Sequence, residues 1–573
     1  MEIRHEADLC VVGGGLAGLC AAVSAARHGI RVVLMQERPV LGGNASSEIR
    51  MWVCGAHGPN NRETGLIEEM ELENYYRNPA ASFSLWDSVL YEKARFEPNI
   101  RLILNCSCLR ARMEDGRIRS VTGWQLTTQT LHTVEAALFA DCSGDSVLAP
   151  LTGAAFRVGR EAAGEFHESI EPETADRKTM GMSCLFQIRE TPKPQPFIPP
   201  AWAYSYPTDA DLPFREHGLS SNFWWIELGG EQDSIRDTEE IRDELLKIAL
   251  GVWDHIKNRG DHGADNWVID WLGFLPGKRE SRRYIGAYTM TQNDVEAGGR
   301  FEDVVAYGGW TMDDHHPAGF AYKDAYPTIF HPAPSPYGIP YRCLYARDVP
   351  NLFFAGRNIS VTHAVLSSTR VMATCALMGQ AVGTAAAIAV RRGLLPDGVA
   401  RDEMRALQSQ LMEDDCYLPG LSREIPALTK AARLEAPGTG AENLRSGIDR
   451  PVGGADNGWW GRPGDAAVYD FGKAVPIRSL RLVFDSDLNR SVHNMPCCYP
   501  LELEGFHVPA TLVRSFRLEA LDESGAWREI FRTDDCHQRL VRITAAITAR
   551  AVRFTPLATW GAPRVHVFAF DVR

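Results

Sequence analysis

Residues Asp8 to Val12 (DLCVV) form a short apolar run that stops at Gly13-Gly14-Gly15, and from Leu16 to His28 small and apolar side chains recur at helical spacing. That pattern predicts a strand, a tight turn and a helix. Gly29 closes the helix and Arg31 to Met35 (RVVLM) predicts a second strand, so the chain opens with a βαβ unit on a parallel sheet. A strand near residue 100 (IRLILNC), hairpin-like alternation from Ile118 to Gln129, and Ala136 to Asp141 read as further pieces of that sheet.

From about Gly181 to Gly319 the pattern changes to mixed strands and loops rich in Trp, Pro and Asp, with Phe223 to Glu227 (FWWIE) as the clearest predicted strand. Asn351 to Ala355 returns to a buried strand, and Ser367 to Arg392 predicts one long Ala-rich helix whose small residues suit close packing. Beyond about Arg433 helix signals stop. Six short alternating strands follow: Ala467 to Phe471, Ile477 to Phe484, Ser515 to Leu521, Trp527 to Arg532, Ala551 to Thr555 and Val565 to Val572. The expected fold class is α/β: a Rossmann-like domain (1–180, returning at 336–432), an inserted mixed α+β substrate domain (181–335), and an all-β sandwich (433–573).

Composition is that of a soluble globular protein, with 45% hydrophobic and 23% charged residues over 573 positions, so more than one core is expected. The net charge of -13 argues against a nucleic-acid or anionic-membrane partner. No run of about twenty apolar residues is evident; the best, Ala381 to Val390, is short and carries Gly383. With a strand starting near the N-terminus instead of a signal peptide, a cytoplasmic location is expected. The thirteen cysteines contain no Cys-x-x-Cys, and only Cys106/Cys108 and Cys497/Cys498 lie close in sequence, so buried thiols are expected rather than a disulfide framework. No metal site is expected either, because no helix pairs histidines at metal spacing.

Gly13-x-Gly15-x-x-Gly18 lies directly after a strand and opens a helix. In that place the first glycine makes the turn, the second admits a pyrophosphate to the backbone, and the third allows helix and strand to pack. Glu37, at the end of the next strand, can accept a hydrogen bond from an adenosine ribose hydroxyl, which disfavours NADP and leaves FAD and NAD open. A second Gly-rich loop follows, Arg38-Pro39-x-Leu41-Gly42-Gly43-Asn44-Ala45-Ser46.

With Ala140-Asp141-Cys142-Ser143-Gly144-Asp145 and Asn351-Leu352-Phe353-Phe354-Ala355-Gly356-Arg357-Asn358, these loops resemble the FAD-dependent oxidoreductases of the glutathione-reductase-like superfamily. GGNASSEIRM, RESRRYIGAY, YGIPYRCL and the segment from Ala355 to Ala387 resemble, more narrowly, a bacterial group often found beside polysaccharide-degrading enzymes, over about residues 1 to 420. The resemblance implies FAD, contacted by Gly13, Gly15, Leu16, Ala17, Gly18, Glu37, Arg38, Gly42, Gly43, Asn44, Ala45 and Ser46. It extends the contacts to Cys142, Ser143, Gly144, Asp145, Gly356, Arg357 and Asn358. The superfamily has an Asp where Arg357 stands, so Asn358 or backbone amides must replace its bond to the ribityl chain. A helix N-terminus at Ser367 or Ser368, helped by Arg370, is expected to stabilise negative charge on the flavin. The C-terminal part resembles galactose-binding-like, discoidin-type modules.

Hydride removal from a CH–OH group needs a base for the hydroxyl proton, and histidine suits that task. Of 16 histidines, His363 (NISVTHA), His315 (DDHHP) and His57 (CGAHG) have suggestive settings, in that order of preference, and Arg282 in RESRR is a candidate grip for substrate. Each has a structural alternative, a hydrogen-bonded histidine or an internal ion pair. Glu48 and Arg50 invite the same two readings; Trp224, Trp225 and Trp310 can either stack on a sugar ring or fill a core. Oxidation of a sugar, glycoside or polyol is the leading expectation, with a carbohydrate as small-molecule substrate and the electron acceptor open. Fumarate-reductase-like chemistry on a carboxylate and a non-catalytic carbohydrate-binding flavin fold are the alternatives. The size and the appended sandwich are compatible with a homodimer.

Overall fold

The computed structural model describes residues 1–491, 494–496 and 506–573; the Cys497/Cys498 pair lies outside the described residues. Among the described residues two compact units emerge, one comprising 1–57, 80–407 and 494–496, the other 58–79, 408–491 and 506–573.

The first unit is built on the sheet expected at the N-terminus. Strands β1 (Glu2–Val12), β2 (Val32–Met35), β3 (Ile100–Ile103), β4 (Cys106–Glu114), β5 (Arg117–Gln125), β6 (Thr130–Asp141) and β7 (Leu352–Phe354) form one sheet in the order β3-β2-β1-β6-β5-β4, with β7 also on β6. Its core is parallel: β2 pairs β1 and β3, β1 pairs β6, and β7 joins the C-terminal end of β6. The N-terminal half of the long β6 instead takes β5 antiparallel, and β4 follows as a hairpin. Two-sided burial explains the continuous apolar runs of β1 and β2, since a parallel sheet covered on both faces has no solvent side.

Helix α1 (Leu16–Arg27) is followed by α2 (Phe83–Arg95), α3 (Thr238–Asp254), α4 (His363–Thr369) and α5 (Met372–Arg392). The single helix expected from Ser367 to Arg392 is thus two, interrupted at Arg370 and Val371, and it starts earlier, at His363. α5 packs on α1 at backbone contact: a Cβ at Gly379 would lie 2.0 Å from the Ala17 carbonyl oxygen, so only glycine permits the approach. By length and composition α5 is apolar enough to cross a membrane, which the sequence reading missed by stopping at the interrupted run Ala381–Val390; 94% of its most apolar window is buried within the protein.

The inserted part has its own apolar core, in which Phe186, Phe223, Trp225, Ile226, Leu245, Trp253 and Phe320 meet. FWWIE is a turn here rather than a strand, with only Glu227–Leu228 pairing. Phe223 adopts φ 48° and the Ile226 amide donates to the Phe223 carbonyl, so Phe223, Trp225 and Ile226 all point into the core. Burial of an apolar run does not require a strand if a turn and side chains take up its polar backbone.

The second unit is an all-antiparallel β-sandwich fold. Strands β8 (Arg433–Glu435), β9 (Trp459–Gly461), β10 (Ala467–Phe484), β11 (Val513–Leu521), β12 (Trp527–Thr533), β13 (Leu540–Thr559) and β14 (Val565–Val572) run in the order β9-β14-β10-β13-β11-β12, with β8 on β10. Ala467–Phe471 and Ile477–Phe484 belong to one long strand, β10, whose pairing shifts register between Asp470 and Val475. The helix Leu66–Arg77 also belongs to this unit: Glu68 pairs with Arg490, and His537 stacks on Tyr76 at 3.9 Å. Trp459 is buried and donates to the Pro437 carbonyl, while Arg539 is a buried ion-pair partner of Asp415.

Candidate active site

A cavity of about 460 Å³ lies in the first unit. Its floor is the C-terminal edge of the parallel sheet, where ligands of doubly wound α/β folds sit. The Gly13 amide donates to Met35 O, Gly14 donates to the Gln36 side chain, and Gly42 donates to Gly14 O, which locks the two Gly-rich loops against each other. The three glycines of the first loop then do different work. A Cβ at Gly18 would sit 1.8 Å from Gly13 O, and one at Gly13, where φ is 100°, would sit 2.5 Å from the Cys142 backbone. At Gly15, with φ -62° and ψ 178°, the nearest atom to an added Cβ is Gly43 Cα at 3.9 Å: the space in front is open, and it is the cavity.

Of the residues expected at the cofactor, Gly13, Gly15, Leu16, Ala17, Glu37, Arg38, Gly42, Gly43, Asn44, Cys142, Ser143, Gly144, Gly356, Arg357 and Arg370 line this cavity. Glu37 and Arg38 mark the end beyond β2, where an adenosine ribose would lie. Gly18, Ala45, Ser46, Asp145, Asn358 and Ser368 stand behind the wall. Gly18 packs α1 on the turn; Ser46 donates to Gly43 O; the Ala45 carbonyl accepts from the Trp86 indole; Asn358 donates to Asp141 O. Asp145 binds Lys278 at 2.9 Å, Arg357 at 2.6 Å and Ser281 at 2.7 Å. Burial raises its pKa, but Arg357 and Lys278 outweigh that and bring it down to about 2. It therefore holds two wall cations in place; Lys278 was not singled out in the sequence.

Ser368 does not begin the helix that serves the cavity. The N-terminus of α4 is turned to Glu161, which accepts from the His363 amide at 2.9 Å, and to Glu171, which accepts from Ala364 at 2.8 Å. Ser368 exchanges a hydrogen bond with Tyr337. The N-terminus of α5 faces the cavity instead, through Val371 and Met372, and its N-cap Val371 offers no side-chain acceptor. The helix end at the cavity is thus that of α5 rather than α4, and its Ala373 amide is already taken by the Cys54 carbonyl at 3.0 Å.

Beyond this point the wall becomes polar and aromatic: His57, Trp224, Arg279, Trp310, Asp313, His315, Tyr326, Phe330 and Arg370. A chain of charges runs along it. Arg370 bonds Asp313 at 2.9 Å, Asp313 faces His315 Nε2 at 3.2 Å, Glu227 faces His315 Nδ1 at 2.7 Å, and Arg279 stands 3.4 Å from Glu227. Burial opposes ionisation of both acids, yet His315 and Arg370 hold Asp313 well below the usual carboxylate range, and Arg279 and His315 lower Glu227 from its ordinary value. His57 packs against Trp310 with ring centroids 4.2 Å apart; burial lowers its pKa and Asp313 offsets part of that.

Two of the four residues proposed for catalysis lie elsewhere. His363 does not line the cavity; it is buried, with Nδ1 2.9 Å from Glu280 and Nε2 3.2 Å from Asp314. Burial lowers its pKa, but the two carboxylates drive it well above the ordinary value, so it is a structural cation rather than a base. Arg282 donates to Asp145 O and lies over Phe156, while its neighbour Arg279 reaches the cavity. Sequence pointed to the cluster RESRR, but only the path of the backbone decides which arginine faces in. Glu48 pairs with Arg38, and Arg50 bonds Gln187 and lies over Phe83 and Trp271. Cys54, Cys106, Cys108, Cys142 and Cys375 also line the cavity, more thiols than the loops implied. Burial pushes the thiols of Cys106 and Cys108 up to about 11 and about 12, which makes them poor nucleophiles.

A parallel sheet with a glycine cradle at its C-terminal edge and an acid beyond β2 defines a dinucleotide-binding protein. The chain belongs to the FAD dependent oxidoreductase family, whose model matches residues 8–411, and FAD is its cofactor. No curated protein matches the chain. A geranylgeranyl bacteriochlorophyll reductase-like protein from Thermoplasma acidophilum is similar at 11% identity over 72% of this chain and 85% of that one, with a TM-score of 0.32. The family 32 carbohydrate-binding module of Streptococcus pneumoniae EndoD is similar at 15% identity over 26% of this chain and 97% of that one, TM-score 0.21. That of C. perfringens NanJ, in complex with galactose, shares 9% identity over 25% and 95%, TM-score 0.18.

Proposed function

We propose that this protein oxidises a CH–OH group of a sugar, glycoside or related polyol. The observation that carries the reading is the charge balance of the polar wall: Arg279 and Arg370 each face an internal carboxylate, so the wall offers donors and acceptors without a net demand for an anion. A neutral, hydroxyl-rich substrate satisfies such a surface, whereas a carboxylate would have to compete with Glu227 and Asp313. Trp224, Trp310, Tyr326 and Phe330 add aromatic faces, and Phe330 is 52% exposed at the rim, as a stacking platform for a sugar ring requires. The buried Trp310 indole N–H has no hydrogen-bond partner among the described residues and is a further donor for substrate.

FAD, when bound, supplies the hydride acceptor. His57 takes the hydroxyl proton as the carbonyl forms, because its lowered pKa keeps the imidazole neutral at neutral pH. Arg279 and Arg370 hold oxygen atoms of the substrate, and His315, fixed between Glu227 and Asp313, positions that wall. The galactose-binding-like resemblance of residues 433–573 accords with a carbohydrate substrate.

The test is anaerobic mixing of holoenzyme with a panel of sugars, glycosides, polyols and dicarboxylates, following the oxidised flavin band. Bleaching by one sugar or polyol class is the expected result. If none bleaches it, and fumarate-like or enone compounds reoxidise the chemically reduced enzyme, the two wall arginines serve a carboxylate instead and this reading fails.

A further inference from the structure

Away from the cavity, in the inserted part of the first unit, four side chains from separate segments converge: Asp209, His217, His255 and His262. Asp209 lies in a short helical turn, Asp209–Asp211, fixed by reciprocal hydrogen bonds between Thr208 and Asp211. His217 comes from the following loop, His255 begins the π-helical turn His255–Arg259 after α3, and His262 follows that turn. We propose that these four residues bind one first-row divalent cation, with Zn²⁺ the best match, as a structural site.

Distances between the donor atoms carry the argument. Asp209 Oδ1 is 3.0 Å from His255 Nε2, 3.5 Å from His217 Nε2 and 3.9 Å from His262 Nε2, and His255 Nε2 is 3.2 Å from His262 Nε2. All four donor atoms lie within 4.8 Å of one another. A tetrahedral zinc with bonds of 2.0–2.1 Å has ligand atoms about 3.3 Å apart, so these separations of 3.0–3.9 Å approach such a polyhedron and need only small side-chain shifts to close on one ion.

The second observation is how the rings are held. His255 donates Nδ1–H to the Tyr206 carbonyl at 2.8 Å and His217 donates Nδ1–H to the Arg215 carbonyl at 2.5 Å. Those bonds fix the tautomer in which Nε2 carries the lone pair, the arrangement that orients histidine ligands of metals. Two nitrogen lone pairs and a carboxylate oxygen aimed at one point repel each other unless a proton or a metal ion lies between them, and a metal ion satisfies all of them at once. Gly260 makes room for the third ring, since a Cβ there would lie 2.1 Å from His262 Nε2.

Three imidazoles and one carboxylate suit a borderline ion such as Zn²⁺ and exclude the oxygen-only preference of Ca²⁺ or Mg²⁺. Four protein ligands close the coordination sphere, as in structural rather than catalytic zinc sites. Asp209, with a side chain 76% exposed, gives the ion an entry path. A bound ion ties the Asp209–His217 loop to the end of α3. Glu216 in that loop accepts the Trp225 indole N–H at 2.9 Å, so the ion also steadies the turn that presents Trp224 to the cavity. Spacing along the chain carries no such motif because the four ligands come from separate local segments between Asp209 and His262.

The test uses holoenzyme stripped with chelator, desalted, and titrated with zinc sulfate alone or cobalt chloride alone. We expect one tightly held ion per chain, visible-region bands of tetrahedral Co²⁺, and a rise in the melting temperature on zinc addition. X-ray absorption at the zinc edge should show a nitrogen and oxygen shell at about 2.0–2.1 Å with imidazole scattering. Asp209→Asn and His262→Gln should each weaken zinc binding about a hundredfold or more while FAD stays bound. Failure of the wild-type chain to take up zinc at micromolar concentration overturns the proposal, as does sulfur in the ligand shell. So does unchanged zinc affinity in both folded variants. Should a variant not fold, the ligand shell of the wild-type protein decides.

Discussion

Gly15→Ala and Gly18→Ala, two single-methyl changes three residues apart, should have opposite consequences. At Gly15 the backbone is already extended, with φ -62° and ψ 178°, and the added methyl meets no protein atom closer than 3.9 Å. Replacing glycine at a compatible position reduces the freedom of the unfolded chain, so the apoprotein should gain about 0.4–1 kcal/mol. The same methyl projects into the space through which a pyrophosphate reaches the backbone, and overpacking there should cost about 1–3 kcal/mol of FAD affinity, roughly 5- to 150-fold. At Gly18 the methyl lies 1.8 Å from Gly13 O, so α1 must move off the sheet. That should destabilise the fold itself by about 3 kcal/mol or more. The assay is denaturant unfolding of both apoproteins beside titration with FAD followed by quenching of its fluorescence. A Gly15→Ala protein that binds FAD as tightly as wild type, or whose apo form is as destabilised as Gly18→Ala, would refute the division of labour among the three glycines.

His57→Gln should slow flavin reduction by substrate at least about a hundredfold with FAD content unchanged, measured by anaerobic stopped flow. Because burial lowers the His57 pKa, the wild-type reduction rate should be flat at neutral pH and fall as pH drops through a value below 6.5, a dependence the variant loses. His363→Gln should leave the pH profile of reduction intact but destabilise the fold. The raised pKa of His363 means that its stabilisation is complete below about 6.5 and is lost as pH rises through the folded value, so the difference in melting temperature should be larger at pH 6 than at pH 10. Trp224→Ala should raise KM about tenfold with little change in FAD binding, from loss of a stacking face, as steady-state kinetics would show.

What could be read from the chain was what local pattern dictates. Apolar runs, a glycine turn and a helical period fixed β1, α1, β2 and the phosphate cradle, because strand–turn–helix geometry at Gly13, Gly15 and Gly18 depends on residues within a few positions of one another. The antiparallel C-terminal strands were legible for the same reason, by alternation. FWWIE shows the limit: an apolar run reports burial, and only the surrounding core made it a turn that buries Phe223 and lets Trp224, packed against the same core, also line the cavity.

Side-chain choice at the polar end of the cavity was decided by tertiary structure alone. Arg279 rather than Arg282 reaches the cavity, and His363 is consumed by Glu280 and Asp314, contacts separated by 83 and 49 residues. The four-residue cation site in the inserted part is assembled in the same way. Sequence determines which chemistry a chain carries and where local turns place it. Which groups meet, and which are neutralised before any substrate arrives, follows from long-range packing, since electrostatic pairing depends on distance in space and not along the chain.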